Sequence, residues 1–272
     1  MRTLSLGISP CPNDTFIFHG LLTEAVRPEG FKLALHIADV EELNAGLING
    51  DLDVAKASFP AAAEVASTHV TLPCGGAIGF GVGPVLLAPA EPDTLSTQRP
   101  RVLLPGKHTM ATLLWRTFHS DIGAEEIQVR FDRIMPMLQA REAEYGVCIH
   151  EGRFTYGRYG LTLLEDLGTR FEVRFKQPLP LGGIFAKAAL GREIHSALIN
   201  AIRASLALAQ SAPDAALATQ RRHARELDDA VIREHVRCYV NQYSEKLDGA
   251  GLAALAGVEA LLRKPLPPLA GA

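Results

Sequence analysis

Long hydrophobic runs are missing from this 272-residue sequence. A transmembrane helix needs roughly 18 consecutive apolar residues, and glycines interrupt the best candidate, GGAIGFGVGPVLLAP, before that length is reached. The opening residues, MRTLSLGISP, contain one arginine but no sustained apolar segment of the kind that a secretory signal requires. We therefore expect no membrane partner and a cytoplasmic location.

An excess of charge of one sign is also missing. The chain has 27 lysines and arginines against 30 aspartates and glutamates, which gives a net charge of −3 at pH 7. Proteins that bind nucleic acid usually concentrate basic residues in patches or stripes, and no dense basic run is present here. We therefore expect no nucleic-acid partner. No internal repeat of roughly 20 to 50 residues is visible either, which argues against a solenoid.

Cysteine is scarce, and its spacing does not suggest chemistry. Cys11, Cys74, Cys148 and Cys238 lie far apart and form no Cys-x-x-Cys pair. Such spacing is a weak basis for a metal site or a disulfide, so we expect no metal and interpret the thiols as buried structural groups in a reducing compartment. Cys11 lies near a predicted helix start, but no neighbouring base completes a nucleophile pair.

The apolar residues that are present recur in two α/β series. Leu4, Leu6 and Ile8 alternate as in a strand, and helical spacing follows them. A second series, from residue 101 to 149, alternates strand, helix, strand, helix and strand, a pattern typical of parallel strands flanked by helices. The chain then ends in helices. These patterns predict an α/β fold that forms a two-lobed clamp with a central ligand cleft.

The same patterns suggest where the lobes divide. We predict a first lobe of residues 1–92 together with 182–272, which includes the C-terminal helices, and a second lobe of residues 93–181. Two extended hinge crossings join them. The polar, proline-containing AEPDTLSTQRP at 90–100 is the candidate linker, and LPLGGIFA at 179–186 is the return crossing.

A rigid polar turn follows the first strand, in the stretch GISPCPNDTFIF from Gly7 to Phe18. Its two prolines restrict the backbone, and Asn13 or Asp14 is suited to cap the helix that Thr15 enters. A helix start at the carboxyl end of a strand offers free N–H groups to an anionic or polar ligand. We expect the turn to direct Ser9, Asn13 and Thr15 towards a ligand, although a capped turn without a ligand is the local alternative.

Ligand groups in such a clamp come from the carboxyl ends of strands and the helix starts after them. Besides the first turn, this rule selects KAS at Lys56–Ser58, GKHTMAT at Gly106–Thr112 and HEGRFTY at His150–Tyr156. In GKHTMAT, the N–H groups of Thr109, Met110 and Ala111 suit a carboxylate or hydroxyl oxygen, while capping is an equal alternative for Thr109. GKHTMAT lacks the spacing of a Walker A loop. GGAIGFGVGP contains Gly-x-Gly-x-Gly but does not stand between a strand and a helix, as a dinucleotide-binding loop does.

His150 is the histidine best placed for chemistry, because it directly follows the buried-looking strand that ends in VCI. A histidine there, facing the cleft, suits a general base near pH 7, although a lone histidine is more often structural. Glu151 follows it, but adjacent side chains of an extended chain point to opposite sides. Arg153, Tyr156 and Arg158 can pair with a substrate carboxylate or simply belong to a surface loop.

Six segments together resemble one known family. They are SPCPNDTF near the N-terminus, KAS after the third strand, GGAIGFGVGP, LPGKHTMAT, DRIMPM and HEGRFTYGRYG. In combination they resemble 1,4-dihydroxy-6-naphthoate synthase of the futalosine route to menaquinone. The similarity extends over nearly the whole chain and is weakest in the C-terminal helices.

The resemblance implies both a fold and a reaction. The family is similar in fold to type II periplasmic binding proteins, in agreement with the two-lobed clamp. It implies a cofactor-free lyase that converts cyclic dehypoxanthinyl futalosine, a small carboxylate, to 1,4-dihydroxy-6-naphthoate and dihydroxyacetone. The histidine of the HE-x-RF motif, here His150, is then the general base. Substrate-binding segments fall on Lys56, Ala57 and Ser58 and on the HTMA turn around Met110 and Ala111.

Three other functions remain open from the sequence. Chorismate dehydratase acts in the same pathway with the same clamp fold, and the SPCPNDTF and HE-x-RFTY segments favour the later enzyme. A transporter-type solute-binding protein is disfavoured by the lack of a secretion signal. A ligand-sensing regulatory domain is disfavoured because no helix-turn-helix is apparent. The oligomeric state, including a homodimer, is also left open.

Overall fold

The structure is a computed structural model that describes residues 2–90, 99–224 and 228–271. Most of the predicted linker, residues 91–98, lies outside the described residues. The strands, in chain order, are β1 (Arg2–Ile8), β2 (Phe31–Ile37), β3 (Val54–Ser58), β4 (His69–Gly79), β5 (Val85–Pro89), β6 (Arg101–Leu104), β7 (Glu125–Gln128), β8 (Tyr145–Cys148), β9 (Leu161–Asp166) and β10 (Leu179–Lys187).

Helices connect and cover these strands. They are α1 (Pro12–Ile17), α2 (His19–Leu22), α3 (Val40–Asn49), α4 (Phe59–Ala63), α5 (Met110–His119), α6 (Phe131–Gln139), α7 (Gly152–Thr155), α8 (Leu167–Phe175), α9 (Arg192–Ser211), α10 (Pro213–His223), α11 (Asp229–Tyr239), α12 (Gln242–Glu245) and α13 (Gly249–Leu262). Short 3₁₀ turns occupy Ser120–Ile122, Tyr156–Tyr159 and Ala188–Leu190. Within the described ranges, no helix combines the length and the apolar character that crossing a membrane demands.

The strands form two five-stranded mixed sheets, one in each lobe. The first has the order β2-β1-β3-β10-β4, with β2, β1 and β3 parallel and β10 antiparallel to both of its neighbours. The second has the order β7-β6-β8-β5-β9, with β7, β6 and β8 parallel and β5 antiparallel to β8 and β9. The parallel strands predicted for residues 101–149 are therefore present.

Strand β5 changes the predicted division of the chain. We assigned residues 1–92 to the first lobe, but β5 pairs with β8 and β9 in the second sheet, so the chain crosses between the lobes at residues 80–84. The return crossing also differs, because LPLGGIFA lies within β10, between β3 and β4 of the first sheet. Both predictions were wrong because an apolar run in the sequence indicates that a strand forms, but not which sheet it joins. The sheet is decided by pairing with strands that are distant in the sequence.

A close backbone contact fixes the first crossing against the second lobe. A Cβ on Gly83 would lie 2.2 Å from the Cα of Gly168 at the start of α8, so only glycine fits there. The amide of Gly81 donates to Oε1 of Glu172 at 2.7 Å. The crossing is thus packed onto α8, which we had not predicted.

The C-terminal helices return to the first lobe and complete its core. Leu198, Ile202 and Leu206 of α9 are buried in the same cluster as Leu4 and Leu6 of β1. This apolar stripe follows the helical spacing of the sequence. Burial of each such side chain stabilises the fold by about 1.5–3 kcal/mol. The helices also bring α10 and α11 against α1, next to the polar turn.

Candidate active site

A cavity lies between the two lobes, and it encloses about 710 Å³ of space without protein atoms, its open mouth included. Nine of the predicted site residues line it, namely Ser9, Asn13, Lys56, Ala57, Ser58, Thr109, Met110, Ala111 and His150. They come from both lobes, and the crossing contributes Val82 and Pro84.

Asp14 organises the polar wall of this cavity. Its Oδ1 accepts hydrogen bonds from Nζ of Lys56 at 2.7 Å and from Nδ2 of Asn13 at 2.9 Å. Its Oδ2 accepts from the hydroxyl of Ser9 at 2.7 Å and from the Ser9 amide at 3.2 Å. Because all of these groups are buried, the Asp14 carboxylate holds the lysine, the amide and the hydroxyl in fixed positions.

Helix α1 begins differently from the prediction. We expected Asn13 or Asp14 to cap it, but the N-cap is Cys11, whose side chain makes no capping hydrogen bond, and Pro12 opens the helix. The Asp14 carboxylate instead reaches back to Ser9. The Asp14 carboxylate binds Lys56, which is far away in the sequence, instead of capping its own helix. The local sequence pattern could not reveal this distant partner.

Thr15 and Arg153 do not line the cavity, and neither do Tyr156 and Arg158. The hydroxyl of Thr15 donates to the carbonyl oxygen of Cys11 at 3.0 Å, within the first turn of its own helix. The guanidinium of Arg153 donates to the Gly83 carbonyl at 2.9 Å and to Oδ2 of Asp166 at 2.6 Å. We therefore do not assign either side chain to ligand binding. The half-buried Arg153 instead connects the crossing, through the Gly83 carbonyl, to Asp166 of the second lobe.

His150 lies two residues beyond the end of β8, one residue later than the predicted strand end at Ile149 implied, with a left-handed φ of 55° that is rare for a residue with a Cβ. Such backbone strain is most often found where a side chain must be held for function. The ring lies edge-on to Phe131 at 4.9 Å between centroids, and its Nε2 is buried without a hydrogen-bond partner in the described part of the chain.

The surroundings of His150 keep its imidazole neutral. Burial lowers the pKa of His150 to about 4; nearby Asp14 opposes this shift and Lys56 adds to it. At pH 7 the ring is therefore unprotonated and able to accept a proton. Burial also raises the pKa of the Cys11 thiol, which agrees with the structural role that we expected for Cys11.

The second lobe contributes the start of α5. The Thr109 hydroxyl accepts from the amide of Thr112 at 3.2 Å and donates to the Gly106 carbonyl at 2.8 Å, so Thr109 is the N-cap. Met110 and Ala111 occupy the first turn, whose N–H groups lack partners within a helix. Their backbone can therefore bind an oxygen of a ligand, while the hydroxyl of Thr109 is already used in the cap.

A carboxylate joins the two lobes beside the cavity. Glu41 of α3 accepts from Nδ1 of His108 at 2.7 Å and from the His108 amide at 3.2 Å. On the first-lobe side, Nδ2 of Asn44 donates to Glu41 at 3.0 Å, and the Ser58 amide donates to Oδ1 of Asn44 at 2.9 Å. This chain of hydrogen bonds connects the KAS segment to the HTMA turn across the cleft.

Several groups near the site were not predicted from the sequence. The first is Asp14 as the partner of Lys56: a lysine within the apolar strand VAKAS requires a buried counter-charge, and this requirement could have indicated an acid such as Asp14. His235 and Tyr239 of α11 recur at helical spacing within an apolar stripe, where a buried histidine is itself unusual. In the described ranges, histidine, cysteine, aspartate and glutamate form no cluster of three or more that could hold a metal ion.

The fold and the cavity first identify the structural class of the protein. Two α/β lobes with a cavity between them form the architecture of periplasmic binding proteins. The ligand-binding component of an ABC-type import system from Staphylococcus aureus has a TM-score of 0.70 at 10% identity, covering 98% of this chain and 94% of its own. The periplasmic aliphatic sulphonate binding protein of Escherichia coli has a TM-score of 0.65 at 14% identity, covering 97% and 86%.

Sequence comparisons then give the family. The family model described as menaquinone biosynthesis matches residues 4–264. A protein of Thermus thermophilus named 1,4-dihydroxy-6-naphthoate synthase is 44% identical over 94% of this chain and 92% of its own length. A protein of the same name from Streptomyces coelicolor is 38% identical over 94% and 91%. The chain therefore belongs to the 1,4-dihydroxy-6-naphthoate synthase family of menaquinone biosynthesis, as the sequence motifs indicated, and it is an enzyme.

Proposed function

We propose that the chain is a carbon–carbon lyase that converts cyclic dehypoxanthinyl futalosine to 1,4-dihydroxy-6-naphthoate and dihydroxyacetone. The names of the two relatives give the product class, and the cavity supplies groups that suit the reaction. We further propose that the enzyme works in the cytoplasm on this small carboxylate substrate. The observation that carries the mechanism is the neutral imidazole of His150 at the cavity wall.

The cavity walls differ in polarity in a way that suits this substrate. Val40, Leu43 and Leu181 provide apolar surface for a fused ring system. Lys56 and Asn13 provide polar lining, and among the described residues the Lys56 ammonium donates to Asp14 and to the Gly75 carbonyl, which leaves its third N–H for a ligand. A carboxylate or hydroxyl of the substrate is thus bound there or at the start of α5.

The reaction is initiated by one proton transfer. His150 removes the proton of a substrate hydroxyl, and that oxygen then forms a carbonyl as the adjacent carbon–carbon bond breaks. The electron pair of the broken bond moves to the ring carbonyl, whose oxygen becomes protonated as the bicycle turns aromatic. The imidazolium of His150 can return the proton, so the step consumes no oxidant and no reductant.

The positions of the residues indicate how much each can contribute to the rate of the reaction. General-base catalysis by one residue accelerates a reaction by roughly 10²–10⁴-fold. The remaining acceleration would come from orientation of the substrate between the lobes and from exclusion of water. The contact of Glu41 with His108 supports such an enclosed arrangement.

The experiment is a turnover assay with purified protein and cyclic dehypoxanthinyl futalosine, with the naphthoate followed by mass. We expect turnover in the wild type, a loss of at least about 100-fold in His150→Ala, and ligand binding that stays measurable in that variant. His19→Ala is the control, since His19 is a buried histidine that bonds Thr219 away from the cavity. Normal turnover by His150→Ala would overturn the mechanism. Conversion of the chorismate dehydratase substrate instead would overturn the proposed reaction.

A further inference from the structure

A second buried imidazole lies beside His150. The ring of His235, on α11 of the first lobe, is 6.0 Å from the ring of His150 between centroids, and the two planes differ by 21°. His235 is completely buried, and the rings of Tyr239 and Phe154 also lie next to it, at 4.5 Å and 6.5 Å between centroids. The two histidines belong to different lobes, so the pair exists only in the folded clamp.

The protonation pattern of His235 is fixed by the polar wall of the cavity. Nδ2 of Asn13 donates to the Asp14 carboxylate at 2.9 Å, which orients the amide and leaves Oδ1 of Asn13 as an acceptor. Nε2 of His235 lies 3.0 Å from that oxygen and therefore carries the proton. Because burial keeps His235 neutral, Nδ1 of His235 holds a lone pair and is an acceptor.

One nitrogen of each of these neighbouring rings is thereby left without a partner among the described residues. Nδ1 of His235 and Nε2 of His150 are both buried, and neither has a hydrogen-bond partner in the described ranges. A buried polar atom without a partner costs about 1–3 kcal/mol and calls for an explanation such as a bound water or a catalytic role. With centroids 6.0 Å apart the two rings are too far from each other for a direct hydrogen bond, so a link between them requires an intervening water.

We infer that His235 is a positioning residue for His150, and that a bridging water relays a hydrogen bond from Nε2 of His150 to Nδ1 of His235. This inference rests on the proposed role of His150. Nε2 of His150 is enclosed, whereas the residue is partly exposed and lines the cavity, so a proton on Nε2 leaves the lone pair on Nδ1 as the base for the substrate. A base that is oriented by a third group in this way is a recurring arrangement in nucleophile and base pairs.

The first test is the tautomer of the two histidines in the wild-type protein without ligand. Nitrogen-15 NMR of histidine-labelled protein, assigned with His150→Gln and His235→Gln, should place the proton of each ring on Nε2. A proton on Nδ1 of His150 would overturn the inference. This measurement needs no turnover, so its result is independent of whether the proposed reaction is correct.

The second test compares two variants of His235 in the turnover assay. His235→Phe preserves the ring packing but removes both nitrogens, and it should lower kcat at least about tenfold with little change in KM. His235→Gln can both donate to Asn13 and accept from the water, and it should recover most of that loss. The matched control is His19→Phe, which should leave kcat within about twofold of wild type. If His235→Phe also keeps kcat within about twofold while His150→Ala is inactive, His235 has no positioning role and the inference fails, whereas the proposed function stands.

Discussion

Nζ of Lys56 lies 2.7 Å from Oδ1 of Asp14, and both side chains are almost entirely buried, with 8% and 3% of their surface exposed. A buried ion pair gains little net stability, because removal of both charges from water offsets their attraction. Its role at this site is to hold charge and hydrogen bonds in fixed directions. Asp14 connects Lys56 to Ser9, to Asn13 and, through Asn13, to His235.

Asp14→Asn should destabilise the protein strongly. The substitution leaves the Lys56 ammonium buried without a counter-charge, and breaking such a pair costs about 3–5 kcal/mol. Urea unfolding measures the loss. The matched control is Glu64→Gln, which breaks an exposed pair with Lys264 and should cost less than about 1 kcal/mol. Equal losses in the two variants would contradict the assigned burial of the pair.

Glycine should be better tolerated than alanine at His150. The left-handed φ of 55° costs a residue with a Cβ about 1–2 kcal/mol, and glycine avoids that cost. His150→Gly should therefore be more stable than His150→Ala by about 1 kcal/mol, while both lose turnover. At the exposed helical position Asn200, the order should reverse, since glycine is unfavourable within a helix. Thermal unfolding of the four variants decides the question; the same order at both positions would count against strain at His150.

The stability of the protein should fall as the pH decreases below about 6.5. The pKa of His150 is lowered to about 4 in the folded state, so the unfolded chain binds the proton first and gains stability from it. This stabilisation of the fold is complete above pH 6.5 and is lost as the pH falls towards 4.

Between pH 8 and pH 5 the contribution of His150 alone is about 2 kcal/mol, and the lowered pKa values of His19, His69 and His235 act in the same direction. His150→Phe should reduce the pH dependence of the unfolding free energy by about that amount. Identical pH dependences in wild type and variant would show that burial does not keep His150 neutral.

Glu41 and His108 should act as a unit in turnover, because together they join the lobes. Loss of either side chain, in Glu41→Gln or His108→Ala, should raise KM about five- to tenfold, and the double variant should be little worse than either single one. Glu126→Gln is the control, since Glu126 pairs with Arg116 within the second lobe. Effects that multiply in the double variant would mean that the contact does not hold the clamp together.

The local parts of the site were predictable from the sequence because they depend on neighbours in the chain. The strand, turn and helix around Ser9 and Asn13 follow from alternation, prolines and spacing. The N-cap at Thr109 is likewise a local hydrogen bond. His150 was found because it follows an apolar strand, and the carboxyl ends of strands meet at a cleft.

The errors share one physical cause, which is competition from partners distant in sequence. Arg153 lies in the predicted loop, but Asp166 and the Gly83 carbonyl bind its guanidinium instead of a ligand. Strand β5 has the expected pattern, but its backbone pairs with β8 and β9 in the second sheet. A single sequence shows that a hydrogen-bond donor is present, but it does not show which of the many possible acceptors in the fold this donor binds.

The sequence by itself determined the two α/β series, the segments that line the cleft and the family, because these depend on periodicity and on motifs of adjacent residues. Only the tertiary structure decided the charge partner of Lys56, the contact of Glu41 with His108 and the position of His235 next to His150. Each of these joins residues that are more than 40 positions apart in the sequence. The physical reason is that buried charges and imidazoles must find partners in space, and the packing of the whole chain determines which partners are near.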